Sequence, residues 1–340
     1  MDVDGFAYEL PSERIAQQPL SRRDDARLLV DRGPAAPPQH RHVRDLPNLL
    51  EPGDLLVANR TRVLPARLHL RKSSGGAIEV LLLERRPDGS WDALVRGSRR
   101  VAAGTRLTPA SGTDLQVEVV DGPGGDRRVV RLHAPADEVT ALSDHGEMPL
   151  PPYIAAPLTD PERYQTVFAD APESAAAPTA GLHLTADVLD RCRERGVAIA
   201  FVDLAVGLDT FRPMSADKVE DHVMHGERYR VPQATWSQCR RAERVVAVGT
   251  TVVRALETAA ATGDLQGRTE LFVHGQFDFR VVDRLVTNFH LPRSSLLVMI
   301  DAFVGPRWRE LYDCALQGDY RFLSFGDAML LTRRDHWLPS

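Results

Sequence analysis

The chain has 340 residues, of which 43% are hydrophobic and 26% charged, with a formal net charge of −5. This length is sufficient for two domains, the composition is that of an ordinary globular protein, and the acidic balance gives no global attraction to nucleic acid. Three distant cysteines without a CxxC motif argue against a disulfide framework or a zinc knuckle, and the chain shows neither a signal peptide nor an apolar run that could span a bilayer. We therefore expect a cytoplasmic protein without membrane association.

The first 64 residues predict short α/β elements. Ser12–Gln18 has a helical pattern that Pro19 ends, and Arg27–Val30 is typical of a strand. Leu55–Ala58 is a continuous apolar run, as in a strand buried on both faces. Polar residues follow it at 59–62, and ligands gather where buried strands of open α/β sheets end. Arginine clusters crowd into this third of the chain, which modestly favours a phosphate-facing surface.

From Pro65 the pattern changes to short strands separated by glycine-rich turns, with no strong helical stretch between them. The predicted strands are Ala77–Glu84, Trp91–Val95, Leu115–Val120 and Arg128–His133. This pattern predicts a small antiparallel barrel or sandwich over residues 65–148, inserted into an α/β domain made of residues 1–64 and 149–340.

After residue 149 helices and strands alternate again. The predicted helices are Ala186–Arg195, Ala234–Arg244, Val252–Ala261, Ser294–Phe303 and Arg309–Gln317. The predicted strands are Val197–Val202, Val245–Val248, Leu271–Val273, Phe279–Val281 and Leu285–Thr287. The fold class is therefore a Rossmann-like α/β domain interrupted by a small antiparallel β-barrel domain.

A strand-to-helix turn at Gly249, Thr250 and Thr251 is the clearest candidate ligand site. Glycine lets a ligand approach the backbone, and free N–H groups with two hydroxyls favour a carboxylate or phosphate. Arg254 and Glu257 follow on one face of the helix. A threonine cap with a surface Arg254–Glu257 pair explains the same residues equally well.

Several histidines could carry proton transfer. His183 lies in an apolar turn, although a buried histidine satisfied by the backbone is the better explanation of that segment taken alone. His222, His225 and Glu227 do not have zinc-ligand spacing, so we expect a pocket wall and no metal. Asn288 and His290 end a strand, where a core histidine is equally plausible. The absence of P-loop, GxGxxG and nucleophile-elbow motifs argues against common kinases, dehydrogenases and hydrolases.

Taken together, motifs along nearly the whole chain resemble one known family. They are Tyr8–Pro11, Ile15–Gln17, Arg23-Asp24, Arg27–Val30, Pro52–Val57, Thr61–Val63, Pro65–Leu68, Met148–Ile154, Glu162–Val167, Ala177–Thr185, Met224-His225, Val248–Thr251, Val253–Glu257, Thr287–Pro292 and Tyr320–Met329. In this order they resemble the S-adenosylmethionine:tRNA ribosyltransferase-isomerases of queuosine biosynthesis.

The resemblance implies an α/β domain with a β-barrel insertion, and S-adenosylmethionine as a substrate that donates its ribosyl carbons. The acceptor in the family is the aminomethyl group of a 7-deazaguanine in tRNA; adenine and methionine leave, and epoxyqueuosine is formed. Such chemistry needs a base beside the sulfonium, a hydrogen bond or acid for adenine, and groups that hold the methionine carboxylate. The implied catalytic candidates are His183, His222, His225, Glu227 and Asp327. The implied substrate-binding candidates are Asn59, Arg62, Thr179, Gly181, Gly249, Thr250, Thr251, Arg254, Asn288 and His290.

This chain departs from the family pattern in polar motifs. Ala205 replaces a family histidine, Asp209 a glycine, Arg60 an Asp or Asn, and His274-Gly275-Gln276 the usual Pro-Gly-aromatic sequence, while Ala155-Ala156 lacks a basic residue. Two alternatives follow: an enzyme of the same fold that uses S-adenosylmethionine on a small-molecule acceptor or cleaves it alone, and a non-catalytic RNA-binding protein.

Overall fold

The computed structural model describes residues 1–97, 101–110, 114–135, 137–207, 213–224 and 226–336. Its strands are β1 (Arg27–Val30), β2 (Gln39–His42), β3 (Asp54–Asn59), β4 (Thr61–Val63), β5 (Arg67–Lys72), β6 (Ala77–Arg85), β7 (Trp91–Arg96), β8 (Arg106–Pro109), β9 (Gln116–Gly124), β10 (Arg127–His133), β11 (Gly146–Glu147), β12 (Ala171–Ser174), β13 (Ala198–Leu204), β14 (Glu227–Arg230), β15 (Arg244–Val248), β16 (Gln266–Thr269), β17 (Arg284–Asn288) and β18 (Ala328–Thr332). Its helices are α1 (Glu138–His145), α2 (Ala186–Glu194), α3 (Gln233–Cys239), α4 (Thr250–Thr262), α5 (Ser295–Val304) and α6 (Trp308–Gln317). In this described part of the chain, none of the helices has the length and apolarity that crossing a bilayer would need.

The chain forms two compact units. The first consists of Met1–Thr61, Pro151–Asp170 and Pro178–Ser340, and the second of Arg62–Leu150 and Ala171–Ala177.

A large mixed sheet organises the first unit. Among the described residues it runs β16-β14-β13-β3-β15-β17-β18-β1-β2. Strands β13, β3, β15 and β17 are parallel neighbours, whereas β18 runs antiparallel to β17 and parallel to β1. The carboxyl ends of four adjacent parallel strands therefore meet at one edge of this sheet.

The continuous apolar run of β3 is buried on both faces, as its sequence predicts. Leu56 and Ala58 belong to a core cluster with side chains of β15, β17 and α2. Leu55 and Val57, which alternate with them, are buried as well. Since α4 also packs on β3, β13 and β15, the parallel strands are covered on both faces.

The second unit contains a closed antiparallel barrel. Its strands pair in the order β5-β6-β7-β10-β9-β8, and β8 pairs back onto β5. Alternate side chains are buried, such as Leu68 and Leu70 on β5 and Val80 and Leu82 on β6. The predicted fold class, α/β with an inserted small antiparallel barrel, is confirmed.

Some local predictions were wrong. The helix expected over Ser12–Gln18 is only a 3-10 turn at Ser12–Arg14, and the second unit contains α1, which the turn-rich pattern concealed. Residues 271–273 and 279–281 are not strands. The Glu257 carboxylate accepts hydrogen bonds from the backbone N–H groups of residues 280, 281 and 282, so these amides do not join a strand ladder.

Candidate functional site

Three of the predicted site residues lie at the carboxyl edge of the parallel strands. Asn59 ends β3, Gly249 follows β15, and Asn288 ends β17. Because β3, β15 and β17 are neighbours, these residues lie side by side. A 3-10 helix, Thr179–His183, comes to the same edge: the Thr179 hydroxyl lies 3.2 Å from Asn288 Oδ1.

The N-terminus of α4 lies at this edge. Gly249 precedes the helix with φ of +94°, a left-handed conformation that glycine adopts without strain. The first N–H groups of a helix have no partner within it. In addition, the buried Thr251 Oγ1 has no hydrogen-bond partner among the described residues. The first N–H groups of α4 and the Thr251 hydroxyl can therefore donate hydrogen bonds to the same ligand, as an anion site requires.

His183 is joined to this edge by Asn288. The Asn288 Nδ2 group lies 2.9 Å from His183 Nε2 and donates a second hydrogen bond to the Leu323 carbonyl at 3.1 Å. His183 is buried, and burial together with the charges of Arg321 and Arg23 lowers its pKa from 6.5 to about 4. The imidazole is therefore neutral at physiological pH.

A pocket in the first unit has His183 in its wall. Its apolar lining includes Pro19, Leu20, Ala26, Leu182 and Phe325, and its polar lining Arg23, Arg163 and Ser324. Sequence reasoning missed these polar residues as site candidates. Arg23 and Arg163 fall in the motifs Arg23-Asp24 and Glu162–Val167, which could have pointed to them.

Arg254 and Glu227 form a buried ion pair. The guanidinium Nη1 contacts Glu227 Oε2, while its Nε and Nη2 groups donate to the carbonyls of Leu271 and Thr269. Glu227 Oε1 accepts a hydrogen bond from Gly207 N at 2.8 Å. The suggested Arg254–Glu257 surface pair is not formed, because both side chains are buried and have other partners.

Asn59 joins two strands. Its side-chain oxygen accepts hydrogen bonds from the backbone of Leu204 and from Thr61, and its nitrogen donates to the Leu204 carbonyl at 2.9 Å. Asn59 thereby holds the end of β3 against the end of β13.

Two other predicted residues are also engaged inside the first unit. His290 Nε2 lies 2.9 Å from Thr287 Oγ1, and burial lowers the pKa of His290 to about 3. Asp327 accepts hydrogen bonds from the backbone N–H groups of Arg27 and Arg321, and burial raises its pKa.

The remaining predicted residues are more scattered. His222 is partly exposed and its ring contacts Phe272 edge-on, with 5.3 Å between centroids. His225 lies outside the described residues. Gly181 is buried, and a Cβ there would meet Phe168 and Thr166 at 3.0 Å. Arg62 belongs to the second unit.

Within the described ranges, no group of three or more His, Cys, Asp or Glu side chains could hold a metal ion.

The departures from the family pattern have local partners. Arg60 Nε donates to Asp203 Oδ1 at 2.8 Å. The His274 ring packs on Phe272, and Gln276 accepts a hydrogen bond from Arg334. The backbone N–H groups of Ala155 and Ala156 donate to the Gln17 side chain. Asp209 lies outside the described residues.

The motifs agree with comparisons to known proteins. The profile of the family described as "Queuosine biosynthesis protein" matches residues 3–331. The chain belongs to this family. It is 48% identical to the S-adenosylmethionine:tRNA ribosyltransferase-isomerase of Rubrobacter xylanophilus over 97% of this chain and 98% of that one. It is 47% identical to the enzyme of that name from Thermus thermophilus, over 97% and 99%.

A solved structure of the queuosine biosynthesis family has the same fold. The crystal structure of S-adenosylmethionine tRNA ribosyltransferase from Thermotoga maritima matches with a TM-score of 0.54 and 37% identity, covering 96% of this chain and 99% of that one. The resemblance drawn from the sequence motifs is therefore confirmed.

Proposed function

We propose that this protein is an S-adenosylmethionine:tRNA ribosyltransferase-isomerase. It transfers and isomerises the ribosyl moiety of S-adenosylmethionine onto a 7-aminomethyl-7-deazaguanine in tRNA, giving epoxyqueuosine and releasing adenine and methionine. Support comes from relatives of that name, which match it over nearly the full length of both chains. In the structure, the observation that carries the proposal is the buried Thr251 hydroxyl at the N-terminus of α4, which has no hydrogen-bond partner among the described residues.

The N-terminus of α4 holds the methionine carboxylate in this proposal. The N–H groups of Thr250 and Thr251 and the Thr251 hydroxyl supply donors, and the helix dipole favours a negative charge. A side chain at position 249 would strain this turn, since φ is +94° there. Glycine keeps the backbone accessible to the ligand.

His183 is the strongest of the proposed catalytic residues. It is next to the α4 site through Asn288 and Thr179, and it lines a pocket. Glu227, Asp327, Arg254, Asn59 and His290 have partners within the first unit, so we assign them to positioning the site. Gly181 allows the close approach of the Thr179–His183 helix to Phe168. His222 and His225 stay proposed catalytic residues, and Arg62 stays a proposed substrate-binding residue.

We assign tRNA as the acceptor and partner, and the cytoplasm, where tRNA is modified, as the location. Arg60, His274 and Gln276 have partners in the first unit, so these three departures do not require a different substrate. The small-molecule alternative has no support among the relatives compared, all of which are named as tRNA enzymes.

Chromatographic assay of adenine and methionine released from S-adenosylmethionine tests the proposal. The reaction is run with tRNA that carries the aminomethyl-deazaguanine, with matched tRNA that carries guanine, and without tRNA. We expect release only with the modified tRNA. Equal release in all three reactions would contradict the acceptor, and binding of the modified tRNA without any release would favour the non-catalytic alternative.

A further inference from the structure

The hydrogen bonds of Asn288 determine which nitrogen of His183 carries the proton. The Leu323 carbonyl can only accept, so the Asn288 atom 3.1 Å from it is the amide nitrogen. The opposite side agrees, since Oδ1 accepts from the Thr179 hydroxyl. The same amide nitrogen faces His183 Nε2 at 2.9 Å. A ring nitrogen that faces an N–H donor must accept, so neutral His183 is protonated on Nδ1.

The other side of the ring has an unused donor. Among the described residues no acceptor for Nδ1–H is found, while the ring lines the pocket formed by Leu20, Leu182, Ser324 and Phe325. Arg23 and Arg163 also line this pocket, and Arg163 Nε has no hydrogen-bond partner among the described residues. Apolar walls, the ring of Phe325 and several N–H donors suit a flat heterocycle with ring-nitrogen acceptors.

We infer that His183 is a neutral hydrogen-bond donor to a ring nitrogen of the adenine of S-adenosylmethionine, and that Asn288 is the positioning residue that fixes this tautomer. The inference rests on the proposed function. As the glycosidic bond breaks, its electron pair moves onto adenine, and the Nδ1–H group stabilises the negative charge that develops there. His183 keeps its proton, and adenine takes its final proton from water. The base that acts beside the sulfonium is therefore another group.

Tautomer-sensitive NMR tests the inference without substrate. The protein is labelled with ¹⁵N-histidine, and long-range ¹H–¹⁵N correlations are recorded near pH 7. The His183→Gln variant, whose side-chain oxygen can still accept from Asn288, identifies the His183 signals by their loss. We expect Nδ1 to be protonated and Nε2 to be unprotonated. A proton on Nε2 would overturn the inference, and this measurement needs no variant of Asn288.

The positioning role of Asn288 has its own test. In Asn288→Asp the carboxylate can only accept, so we expect the His183 proton to move to Nε2. Thr179→Val is the matched control, because it removes a contact to Asn288 but leaves the Leu323 carbonyl to orient the amide, and we expect its tautomer to be that of the wild type. A folded Asn288→Asp variant with the proton still on Nδ1 would overturn the positioning role.

Addition of S-adenosylmethionine separates failure of the inference from failure of the proposed function. Calorimetry measures binding, and the spectrum follows Nδ1–H of His183. We expect binding to shift the Nδ1–H resonance. Binding that leaves this resonance unchanged would overturn the donor role. Absence of binding, with Nδ1 protonated as expected, would overturn the proposed function and the ligand assignment but not the role of Asn288.

Discussion

The guanidinium of Arg254 and the carboxylate of Glu227 pair in the interior of the first unit, where both side chains are more than nine-tenths buried. The pair connects α4 to β14, and through Gly207 N it connects β14 to the chain that leaves β13. Through these contacts the Arg254–Glu227 pair holds α4 in position beside the candidate site. Sequence reasoning placed both residues in the site but did not pair them.

We expect Arg254→Ala to lower the free energy of unfolding by about 3–5 kcal/mol, because it leaves a buried carboxylate without its counterion. Urea denaturation at pH 7 measures the effect. The double variant Arg254→Met with Glu227→Gln removes both charges and should recover a large part of the loss. A single variant as stable as the wild type would show that the pair does not stabilise the fold.

The hydroxyl of Thr251 is predicted to serve binding and not stability. Thr251→Val keeps the side-chain shape and removes a buried hydroxyl without a partner, so we expect unchanged or slightly increased stability. Loss of a hydrogen bond to a carboxylate should weaken S-adenosylmethionine binding by about tenfold or more, roughly 1.5 kcal/mol. Calorimetric titration measures the affinity.

Thr258→Val is the matched control on the same helix. The Thr258 hydroxyl bonds to Thr269 Oγ1 at 2.6 Å, so this variant should lose stability and retain affinity. If the two variants weakened binding equally, α4 would not hold the carboxylate by its N-terminus.

Stability should depend on pH through the buried histidines. The pKa of His183 is about 4 in the folded protein against 6.5 for an ordinary histidine. Between these values the unfolded chain binds a proton that the folded protein does not, so the free energy of unfolding falls as pH is lowered from 6.5 to 4. The loss from this group is on the order of 3 kcal/mol. Above pH 6.5 the titration of His183 does not change the free energy of unfolding.

Urea denaturation between pH 4 and 7 checks this dependence against the His183→Gln variant, which lacks the titrating ring. The difference in unfolding free energy between wild type and variant should change over that range and level off above it. His290, with a pKa near 3, should behave similarly in a His290→Gln variant. A constant difference across the range would contradict a neutral buried imidazole.

Arg60, a departure from the family pattern, is expected to be a local structural substitution. It is about one-third exposed, but its partner Asp203 is buried, so Arg60→Asn should cost on the order of 1–3 kcal/mol of stability. We expect turnover with modified tRNA to remain within a factor of about two, which corresponds to only about 0.4 kcal/mol of the activation barrier. Asp203→Asn should show the same loss of stability. A large loss of turnover in Arg60→Asn alone would place this residue in the acceptor site.

The sequence predicted best where local chemistry decides the structure. The apolar run at Leu55–Ala58 and the glycine before α4 are visible as patterns, and both were predicted correctly in position. Residues 279–281 are of types common in strands, but the Glu257 carboxylate accepts hydrogen bonds from backbone N–H groups of this segment. Because Glu257 is distant in the sequence, no local pattern predicts this interaction.

The same limit applies to the site. His183 and Asn288 are 105 residues apart, and their hydrogen bond depends on where the Thr179–His183 helix meets the end of β17. The motifs placed both residues among the candidates. Their mutual orientation, and therefore the protonated nitrogen, follows only from the Leu323 carbonyl in the folded structure.

The position of β18 has a consequence for synthesis on the ribosome. β18 is the last strand in the described sequence, yet it lies between β17 and β1 in the sheet. The early hairpin of β1 and β2 therefore lacks its neighbour in the sheet until β18 has been translated. The barrel strands β5–β10 are consecutive in the chain and can close long before that. Nascent chains should accordingly acquire a protease-resistant barrel first, while the apolar faces of β1 and β3 stay dependent on late residues.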